Sequence, residues 1–462
     1  MELRNKGLEI IVNLLKQHKI NQVVISPGGT NIPFVRLVQD DPFFECYSVV
    51  DERSAMYFAI GLYLETGKPI VTSCTSAQAT RNYVPGLTEA FYKKVPILAI
   101  TMSKHPRFTY QEYMQAPDQT SLPQDSIKKS YCLPYICDEN DIFHSIRLVN
   151  EAILELDHNG KGPVQLCVPW LDFPLTACDP TTRSITRYDM NRSFDFILEN
   201  KRVMIIIGEN QCISENEKKL IEDFADMTDC VVYVNHLSHY KGKCSIEGNL
   251  ALLSMSVSEF VKKYAPDIII SLYGQTGDYP LYNKLSCSEL KSCEHWRVNV
   301  DGRVVDTYDK LTRIFECSVE NFFSKIIRDS NLHKIENRPF FNTWNELVAG
   351  LSFPEEIPFS NASIALYLSS RIPLGSRVQL SILNSLRVWS FFKLDPSIKC
   401  SSNVGAFGID GGLSTLIGQS VASNELCFMI IGDLAFLNQI PQVRDSLSSG
   451  LHCCIGGVFL LS

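Results

Sequence analysis

Two short acidic motifs have the residue types and the setting for chemistry on a bound ligand. Asp51-Glu52-Arg53 follows a short strand-like segment and precedes a helical pattern, and Gly432-Asp433-Leu434 follows the apolar segment 426–431. In an open parallel sheet, ligands bind beyond the carboxyl ends of the strands, so both acids are candidate binding groups. Each has a plain alternative: the helix dipole favours an acid at a helix N-terminus, and Gly-Asp after a strand often forms a turn.

A third polar motif, Gly274-Gln275-Thr276-Gly277, also follows an apolar strand pattern. A ligand loop is possible there, but a tight turn is the more common use of such glycines. The chain has no Gly-x-Gly-x-x-Gly segment, which disfavours a nicotinamide or flavin oxidoreductase. The sixteen cysteines are scattered and form no Cys-x-x-Cys pair, so we expect reduced thiols rather than disulfides or a zinc site.

The elements that must position these residues alternate between strand and helix. This alternation predicts an α/β protein with mostly parallel sheets that are covered on both faces. Three such blocks are predicted, at 1–180, 193–340 and 358–462, with a polar linker at Asp179–Arg192 and a partly helical connection at Pro339–Pro358. In the first block, strands are predicted at 22–26, 46–50, 69–73, 95–101 and 164–168, and helices at 8–18 and 53–65.

The composition limits the kinds of partner. The chain has 462 residues, of which 45% are hydrophobic, and this is enough for two or three domains with cores of their own. The net charge of −8 and the lack of a long Lys/Arg run disfavour nucleic acids and anionic membrane surfaces as partners. No apolar stretch approaches the ~20 residues of a membrane span, and the N-terminal segment lacks the signal-peptide pattern. We therefore expect a cytoplasmic protein.

An ordered succession of motifs resembles thiamine diphosphate enzymes, most closely the 2-succinyl-5-enolpyruvyl-6-hydroxy-3-cyclohexene-1-carboxylate synthase family of menaquinone biosynthesis. In the first block, the motifs that match the family in order and spacing are Ile25–Gly28, Asp51–Ala55, Cys74–Ser76 and Asn82. In the third block they are Asn384-Ser385-Leu386, Ser402-Asn403, Gly408–Gly411 and Gly432-Asp433-Leu434. Each motif alone is weak, whereas the ordered set is specific and extends over the whole chain.

The resemblance implies three doubly wound domains: a pyrimidine-binding domain at 1–180, a central α/β domain at 193–340 and a diphosphate-binding domain at 358–462. It implies the cofactors thiamine diphosphate and Mg²⁺. Glu52 would be the catalytic carboxylate that hydrogen-bonds the aminopyrimidine ring, and Asp433 would be the Mg²⁺ ligand. Ile409 would support the cofactor rings, although a core isoleucine is an equally compatible interpretation. The implied cofactor-binding residues are Pro27, Thr75, Asn82, Asn384, Ser385, Ile409, Gly432 and Asp433.

The resemblance also implies a reaction and an assembly. The enzyme would be a transferase that decarboxylates a 2-oxo acid and transfers the remaining acyl group to an acceptor, with Gln115 and Lys104 at the substrate. In this family the two halves of each site come from different subunits. Glu52 of one chain would therefore face Asp433 of another, which predicts a homodimer or homotetramer.

Two departures from the family pattern concern substrate and completeness. The family holds 2-oxoglutarate and isochorismate with arginines, whose planar forks bind carboxylates bidentately. Four of these positions differ, so we predict a changed substrate. The second departure is that no Asn-Asn-x-Gly-Gly segment follows Asp433, which predicts a truncated third domain and leaves a non-catalytic remnant or partner-binding subunit as an alternative. The residues at the four positions are Gly29-Thr30, Lys104 or His105, Trp389 and Val404, with Arg387 displaced by two residues from the third.

Overall fold

Three parallel sheets, each flanked by helices, form the frame of the protein. The structure is a computed structural model, and it describes residues 6–169, 185–188, 190–191, 193–194, 196, 198–290, 292–330, 332–354, 357–437 and 458–460. Every strand pairing within these ranges is parallel. The predicted α/β class with three doubly wound parallel sheets is therefore confirmed.

The first sheet has the strand order β2-β1-β3-β4-β6-β5. Its strands are β1 (Gln22–Ile25), β2 (Glu45–Ser48), β3 (Ile70–Cys74), β4 (Ile97–Ser103), β5 (Lys129–Cys132) and β6 (Val164–Pro169). Its helices are α1 (Lys6–Gln17), α2 (Ile32–Gln39), α3 (Glu52–Thr66), α4 (Gln78–Asn82), α5 (Val84–Lys93) and α6 (Glu139–Glu155). Helices α1 and α6 cover one face of the sheet, and α3 and α5 cover the other, so β1, β3 and most of β4 are buried.

The second sheet has the strand order β10-β9-β8-β11-β12-β13-β7. Its strands are β7 (Thr186–Tyr188), β8 (Val203–Ile207), β9 (Cys230–Tyr233), β10 (Ser245–Ile246), β11 (Ile268–Leu272), β12 (Glu294–Val298) and β13 (Leu311–Phe315). The associated helices are α7 (Glu215–Met227), α8 (Asn249–Ser254), α9 (Val257–Glu259), α10 (Tyr279–Leu285), α11 (Val319–Asp329) and α12 (Pro339–Gly350). A 3₁₀ turn lies at Pro106–Phe108 in the first part of the chain, and a π-helical turn at Phe260–Tyr264 follows α9.

The third sheet has the strand order β15-β14-β16-β17. Its strands are β14 (Arg377–Leu380), β15 (Lys399–Ser401), β16 (Cys427–Gly432) and β17 (Val458–Leu460). The helices of this part are α13 (Asn361–Ser369), α14 (Asn384–Trp389), α15 (Gly412–Val421) and α16 (Asp433–Leu437). Among the described residues, no helix combines the length and apolar character that crossing a lipid bilayer demands.

The chain divides into two compact units. One comprises Met1–Asp179 with Ala406–Gly408 and contains the first sheet, whereas the other comprises Pro180–Gly405 with Ile409–Ser462 and contains the second and third sheets. Within the second unit, side chains in the segment after β9 bond to backbone carbonyl oxygens in the region of the third sheet. These bonds, each 2.8 Å long, run from His236 to Trp389, from His239 to Cys400 and from Lys241 to Leu394. The three predicted domain ranges remain predictions.

Two edge strands differ from the sequence-based expectations. Strand β7 lies inside the segment that was predicted to be a linker, so that prediction was wrong for three residues. Strand β5 was not predicted at all. Both are three or four residues long and largely polar, with outer positions that face solvent, so they lack the apolar run by which a buried strand is recognised.

Candidate active site

The first sheet reverses its winding direction at β1, which has β2 on one side and β3 on the other. In doubly wound sheets, the carboxyl ends of the two strands at such a switch point form the usual ligand crevice. Ser26-Pro27-Gly28 follow β1 and Thr75 follows β3, so they define what we call the first-sheet switch point. The two loops are in close contact, because a Cβ at Gly28 would lie 2.7 Å from the Cβ of Thr75. The structure thus places the predicted residues Pro27 and Thr75 on neighbouring loops at the first-sheet switch point.

A fully buried asparagine holds the loop after β1 in shape. The Asn31 side chain accepts a hydrogen bond from the Gly28 amide at 2.8 Å and donates one to the Ser26 carbonyl at 3.0 Å. The Thr30 and Thr75 hydroxyls bond to each other at 2.6 Å. Sequence reasoning missed Asn31. It directly precedes α2, where asparagine suggests a helix cap, but its side chain caps nothing and serves the loop instead.

Glu52 is the first residue of α3, and only 8% of its surface is exposed. The preceding Asp51 caps the helix by accepting a hydrogen bond from the Arg53 amide at 3.2 Å, which fixes the direction in which Glu52 enters the interior. The predicted cofactor residue Asn82 donates to Glu52 Oε2 at 3.4 Å. The structure therefore brings Glu52 and Asn82 together.

Two of the groups near Glu52, the Cys74 thiol and the Tyr83 hydroxyl, remain uncharged at neutral pH. Burial raises the pKa of the Cys74 thiol well above its usual value, and the negative charge of Glu52 adds to the effect. Burial likewise raises the pKa of Tyr83, with further contributions from Cys74 and Glu52. A carboxylate in such surroundings can share a proton with a ring nitrogen more readily than one in water.

The third sheet reverses its winding at β14, which lies between β15 and β16. The loops after β14 and β16 form the third-sheet switch point, and they contain the predicted residues Asn384, Ser385, Gly432 and Asp433. Asp433 starts α16, where its Oδ1 accepts a hydrogen bond from the Leu434 amide at 2.8 Å. A Cβ at Gly432 would have no neighbouring atom within 4 Å among the described residues.

Ile409 lies in the segment that follows β15. Its side chain packs beside a small apolar cluster that includes Leu416, Met429 and Ile431. The Asn403 side chain donates a hydrogen bond to the carbonyl of Asp410, which follows Ile409, at 3.3 Å. It also accepts a hydrogen bond from the Gln379 side-chain amide at 3.1 Å, which anchors this segment to the sheet. The packing fits both interpretations of Ile409, and its role toward a cofactor stays a prediction.

The second sheet also reverses its winding, between β8 and β11, but its loops are closed against each other. The Glu209 amide donates to the Gln275 carbonyl at 3.0 Å, and the Gly274 amide donates to the Glu209 carbonyl at 3.1 Å. A Cβ at Gly208 would lie only 1.7 Å from the Gly274 oxygen. The glycines after β11 therefore form a packed turn, as the more common alternative predicted.

The two predicted substrate residues lie in the segment that follows β4. Lys104 lines a cavity of about 510 Å³ together with His105 and Asp118. Gln115 is half-buried with a φ of 58°, and it is not among the residues that line this cavity. Trp389 and Val404, which the resemblance predicts to stand at two of the family's arginine positions, are 0% and 1% exposed. They are core residues and present no group to a polar ligand.

Comparison with known proteins places this geometry in a family. Residues 5–122 match the family described as thiamine pyrophosphate enzyme, N-terminal TPP binding domain. The 2-succinyl-5-enolpyruvyl-6-hydroxy-3-cyclohexene-1-carboxylate synthase of Bacteroides fragilis is 34% identical over 455 residues, which cover 93% of this chain and 79% of the relative. The chain belongs to this synthase family.

Other members of the synthase family match over a similar extent. The synthase of Phocaeicola vulgatus is 33% identical and covers 93% of this chain, which spans 78% of it. The synthase of Flavobacterium psychrophilum is 27% identical and covers 94% of this chain, which spans 80% of it. The similarity thus includes all three sheets.

The residues at the first- and third-sheet switch points, together with the Glu52–Asn82 pair, fit a diphosphate-bearing cofactor of the synthase family. Glu52 is a buried carboxylate at the start of α3, and Asp433 is a hard oxygen donor at the start of α16. Within the described ranges, no three His, Cys, Asp or Glu side chains are grouped to hold a metal. A single carboxylate suits Mg²⁺, which usually takes its other ligands from phosphate and water.

Proposed function

We propose that this chain is a thiamine diphosphate- and Mg²⁺-dependent synthase of the 2-succinyl-5-enolpyruvyl-6-hydroxy-3-cyclohexene-1-carboxylate synthase type. It decarboxylates a 2-oxo acid and transfers the remaining acyl group to an acceptor. The observation that supports the proposal is the arrangement of the matching residues. Pro27 and Thr75 lie at the first-sheet switch point, and the buried Glu52 carboxylate accepts a hydrogen bond from Asn82. Asn384, Ser385, Gly432 and Asp433 lie at the third-sheet switch point.

Glu52, Asn82 and Asp433 have separate tasks in this proposal. When bound, thiamine diphosphate supplies an electron sink for the pair that is released as CO₂ leaves a 2-oxo acid. Glu52 shares a proton with the ring nitrogen of the pyrimidine, and its low exposure strengthens this interaction. Asn82 orients the Glu52 carboxylate through its amide. Asp433 ligates the Mg²⁺ that neutralises the diphosphate.

The loops at the two switch points hold the ends of the cofactor. Pro27 and Thr75 border the pyrimidine end, where Asn31 keeps the loop after β1 in a fixed shape. Asn384 and Ser385 flank the diphosphate together with Gly432, and Ile409 supports the rings. A cytoplasmic homodimer or homotetramer, in which each complete site draws on two subunits, is part of the proposal.

The residues at the positions proposed to hold the substrate carboxylates differ from the arginines expected of the family. Trp389 and Val404 are buried and apolar, so neither can pair with a carboxylate. The Thr30 hydroxyl is engaged with Thr75. Lys104 supplies a single point charge in place of a bidentate arginine fork. We therefore propose a substrate pair with fewer carboxylates than 2-oxoglutarate and isochorismate, with Lys104 and Gln115 as its contacts.

A calorimetric titration tests the cofactor part. Thiamine diphosphate with Mg²⁺ is expected to bind the wild-type chain with micromolar affinity, and Asp433→Asn should weaken binding at least tenfold because a carboxylate ligand of Mg²⁺ is lost. Glu425→Gln is a matched control, since Glu425 pairs with Arg377 at 3.1 Å on the same sheet. Absence of binding to the wild-type chain would contradict the proposal.

A turnover assay tests the substrate part. CO₂ release from 2-oxoglutarate in the presence of isochorismate is measured for this chain and, in parallel, for the Bacteroides fragilis synthase. We expect a rate at least tenfold below that of the relative. Equal rates would refute the changed substrate and leave the cofactor proposal intact.

A further inference from the structure

Cys132 and Cys167 are directly opposed on neighbouring strands of the first sheet. Cys132 is the last residue of β5, and its register partner on β6 is Cys167. Two residues earlier, the register partners Ser130 and Gln165 are joined by a hydrogen bond of 2.7 Å. Side chains two residues apart on a strand point to the same face, so both thiols lie on the face of the Ser130–Gln165 pair.

The two thiols differ in accessibility. Both line the cavity of about 510 Å³ that also includes Lys104. Cys132 is exposed, whereas Cys167 is only 2% exposed. A reagent that enters the cavity therefore reaches the exposed Cys132 before the buried Cys167 on the neighbouring strand.

The proton distribution between the thiols favours reaction at the exposed one. A hydrogen bond from Cys167 lowers the pKa of Cys132 to about 7, against the opposing effect of partial burial. The same hydrogen bond, together with burial, raises the pKa of Cys167 well above its usual value. At neutral pH, Cys132 is therefore partly ionised and is the nucleophile, whereas Cys167 keeps its proton.

The strand spacing permits a covalent link. Neighbouring strands lie about 4.7–4.9 Å apart, and disulfides join residues whose Cα atoms are about 4.4–6.8 Å apart. Strand β5 is at the edge of the sheet, and Cys132 is its final residue, so a small shift of Cys132 disturbs no other strand.

We propose that Cys132 and Cys167 form a reactive dithiol site, which takes a low-molecular-weight disulfide and is converted to an intramolecular disulfide. The Cys132 thiolate attacks one sulfur of the reagent, forms a mixed disulfide and releases one thiolate, which takes the proton of Cys167. Cys167 then attacks Cys132 Sγ and expels the second thiolate, which takes from solvent the proton that Cys132 released on ionisation. Counted from the two protein thiols, the protein loses two electrons and two protons, and the reagent is reduced to two thiols.

Oxidised glutathione is the probe for this site. After incubation at pH 7, peptide mapping should find Cys132 cross-linked to Cys167 in the wild-type protein, with two thiols lost and both recovered by dithiothreitol. In Cys167→Ser or Cys167→Ala, Cys132 should accumulate as the mixed disulfide with glutathione. In Cys132→Ser, Cys167 should remain a thiol.

Cys137 and Cys212 provide the matched comparison, because both are exposed thiols. Cys137→Ser and Cys212→Ser should leave the cross-link unchanged. A mixed disulfide that persists at Cys132 in the wild-type protein, a cross-link to another cysteine, or loss of the cross-link in Cys137→Ser or Cys212→Ser would each overturn the proposal.

Discussion

Gly28 and Thr75 approach each other so closely that a single added methyl group would lie 2.7 Å from the Thr75 Cβ. The contact joins the loops after β1 and β3, where the first sheet reverses its winding. Residue 28 must therefore lack a side chain for these loops to keep their spacing. This requirement comes from packing, because Gly28 is not among the described glycines with a positive φ.

Gly28→Ala should destabilise the first unit by about 1–3 kcal/mol, since an extra methyl group in a packed site forces its neighbours apart. Gly29→Ala is the control, because a Cβ at residue 29 would meet no atom within 4 Å. Urea unfolding of both variants, followed by circular dichroism, measures the difference. Equal stabilities for the two variants would contradict the contact.

Glu52→Gln should abolish 2-oxo acid decarboxylation, with a loss of at least about 100-fold, because the amide cannot share a proton as the carboxylate does. Cofactor affinity should change little, whereas exchange of the thiazolium C2 proton, followed by NMR, should slow to a similar degree. Asp51→Asn removes the neighbouring charge and keeps a helix-capping side chain, so it should retain activity. Unchanged proton exchange in Glu52→Gln would exclude the role proposed for Glu52.

Trp389→Arg should cost at least about 3 kcal/mol of stability, because the position is 0% exposed and would bury a charge. Trp389→Phe should stay within about 1 kcal/mol of the wild-type protein. The indole Nε1 has no hydrogen-bond partner within the described ranges, so removing it offsets part of the lost packing. Thermal unfolding compares the two variants. A stable Trp389→Arg variant with improved turnover of 2-oxoglutarate would show that the position faces the substrate.

Stability should fall on acidification because of His295. Burial, with a contribution from Arg297, lowers the pKa of His295 to about 3, so the folded protein holds it neutral. Below its unfolded pKa of about 6.5, the unfolded chain takes up a proton that the folded chain refuses, and stability drops by up to about 1.4 kcal/mol per pH unit until the pH nears 3.

His295→Gln should flatten this dependence between pH 6.5 and 4.5, and the adjacent buried Trp296 gives a fluorescence signal for unfolding. The slope is compared with that of His333→Gln, which replaces an exposed histidine. The pH slope is the decisive quantity, since the absolute stability of His295→Gln also reflects the lost hydrogen bond to Ser271.

The sequence predicts those strands, helix ends and candidate site residues that have a recognisable local pattern. Strand β8 is an uninterrupted apolar run and β11 is apolar except for Ser271. The end of α3 at Gly67 follows from the left-handed conformation that glycine adopts there. Glu52 and Asp433 were recognisable because they follow strands and belong to ordered motifs.

What could not be predicted depends on contacts between distant parts of the chain. The buried role of Asn31 is defined by Ser26 and Ser73, which belong to two different strand ends. The pairing of Cys132 with Cys167 depends on β5, a polar edge strand with no pattern of its own. Apolar periodicity reports which face of an element is buried, but it does not report which element lies opposite.

The close contact between Gly208 and Gly274 indicates a structural role for the loops after β8 and β11 of the second sheet. The peptide groups of Glu209, Gly274 and Gln275 bond to one another at this point, so a molecule that entered between the two loops would have to displace these hydrogen bonds. The nearby side chains of His236, His239 and Lys241 bond to backbone carbonyl oxygens in the region of the third sheet, which ties the two regions of the second unit together. A new effector site designed between these two loops would require substitutions that first separate Gly208 from Gly274.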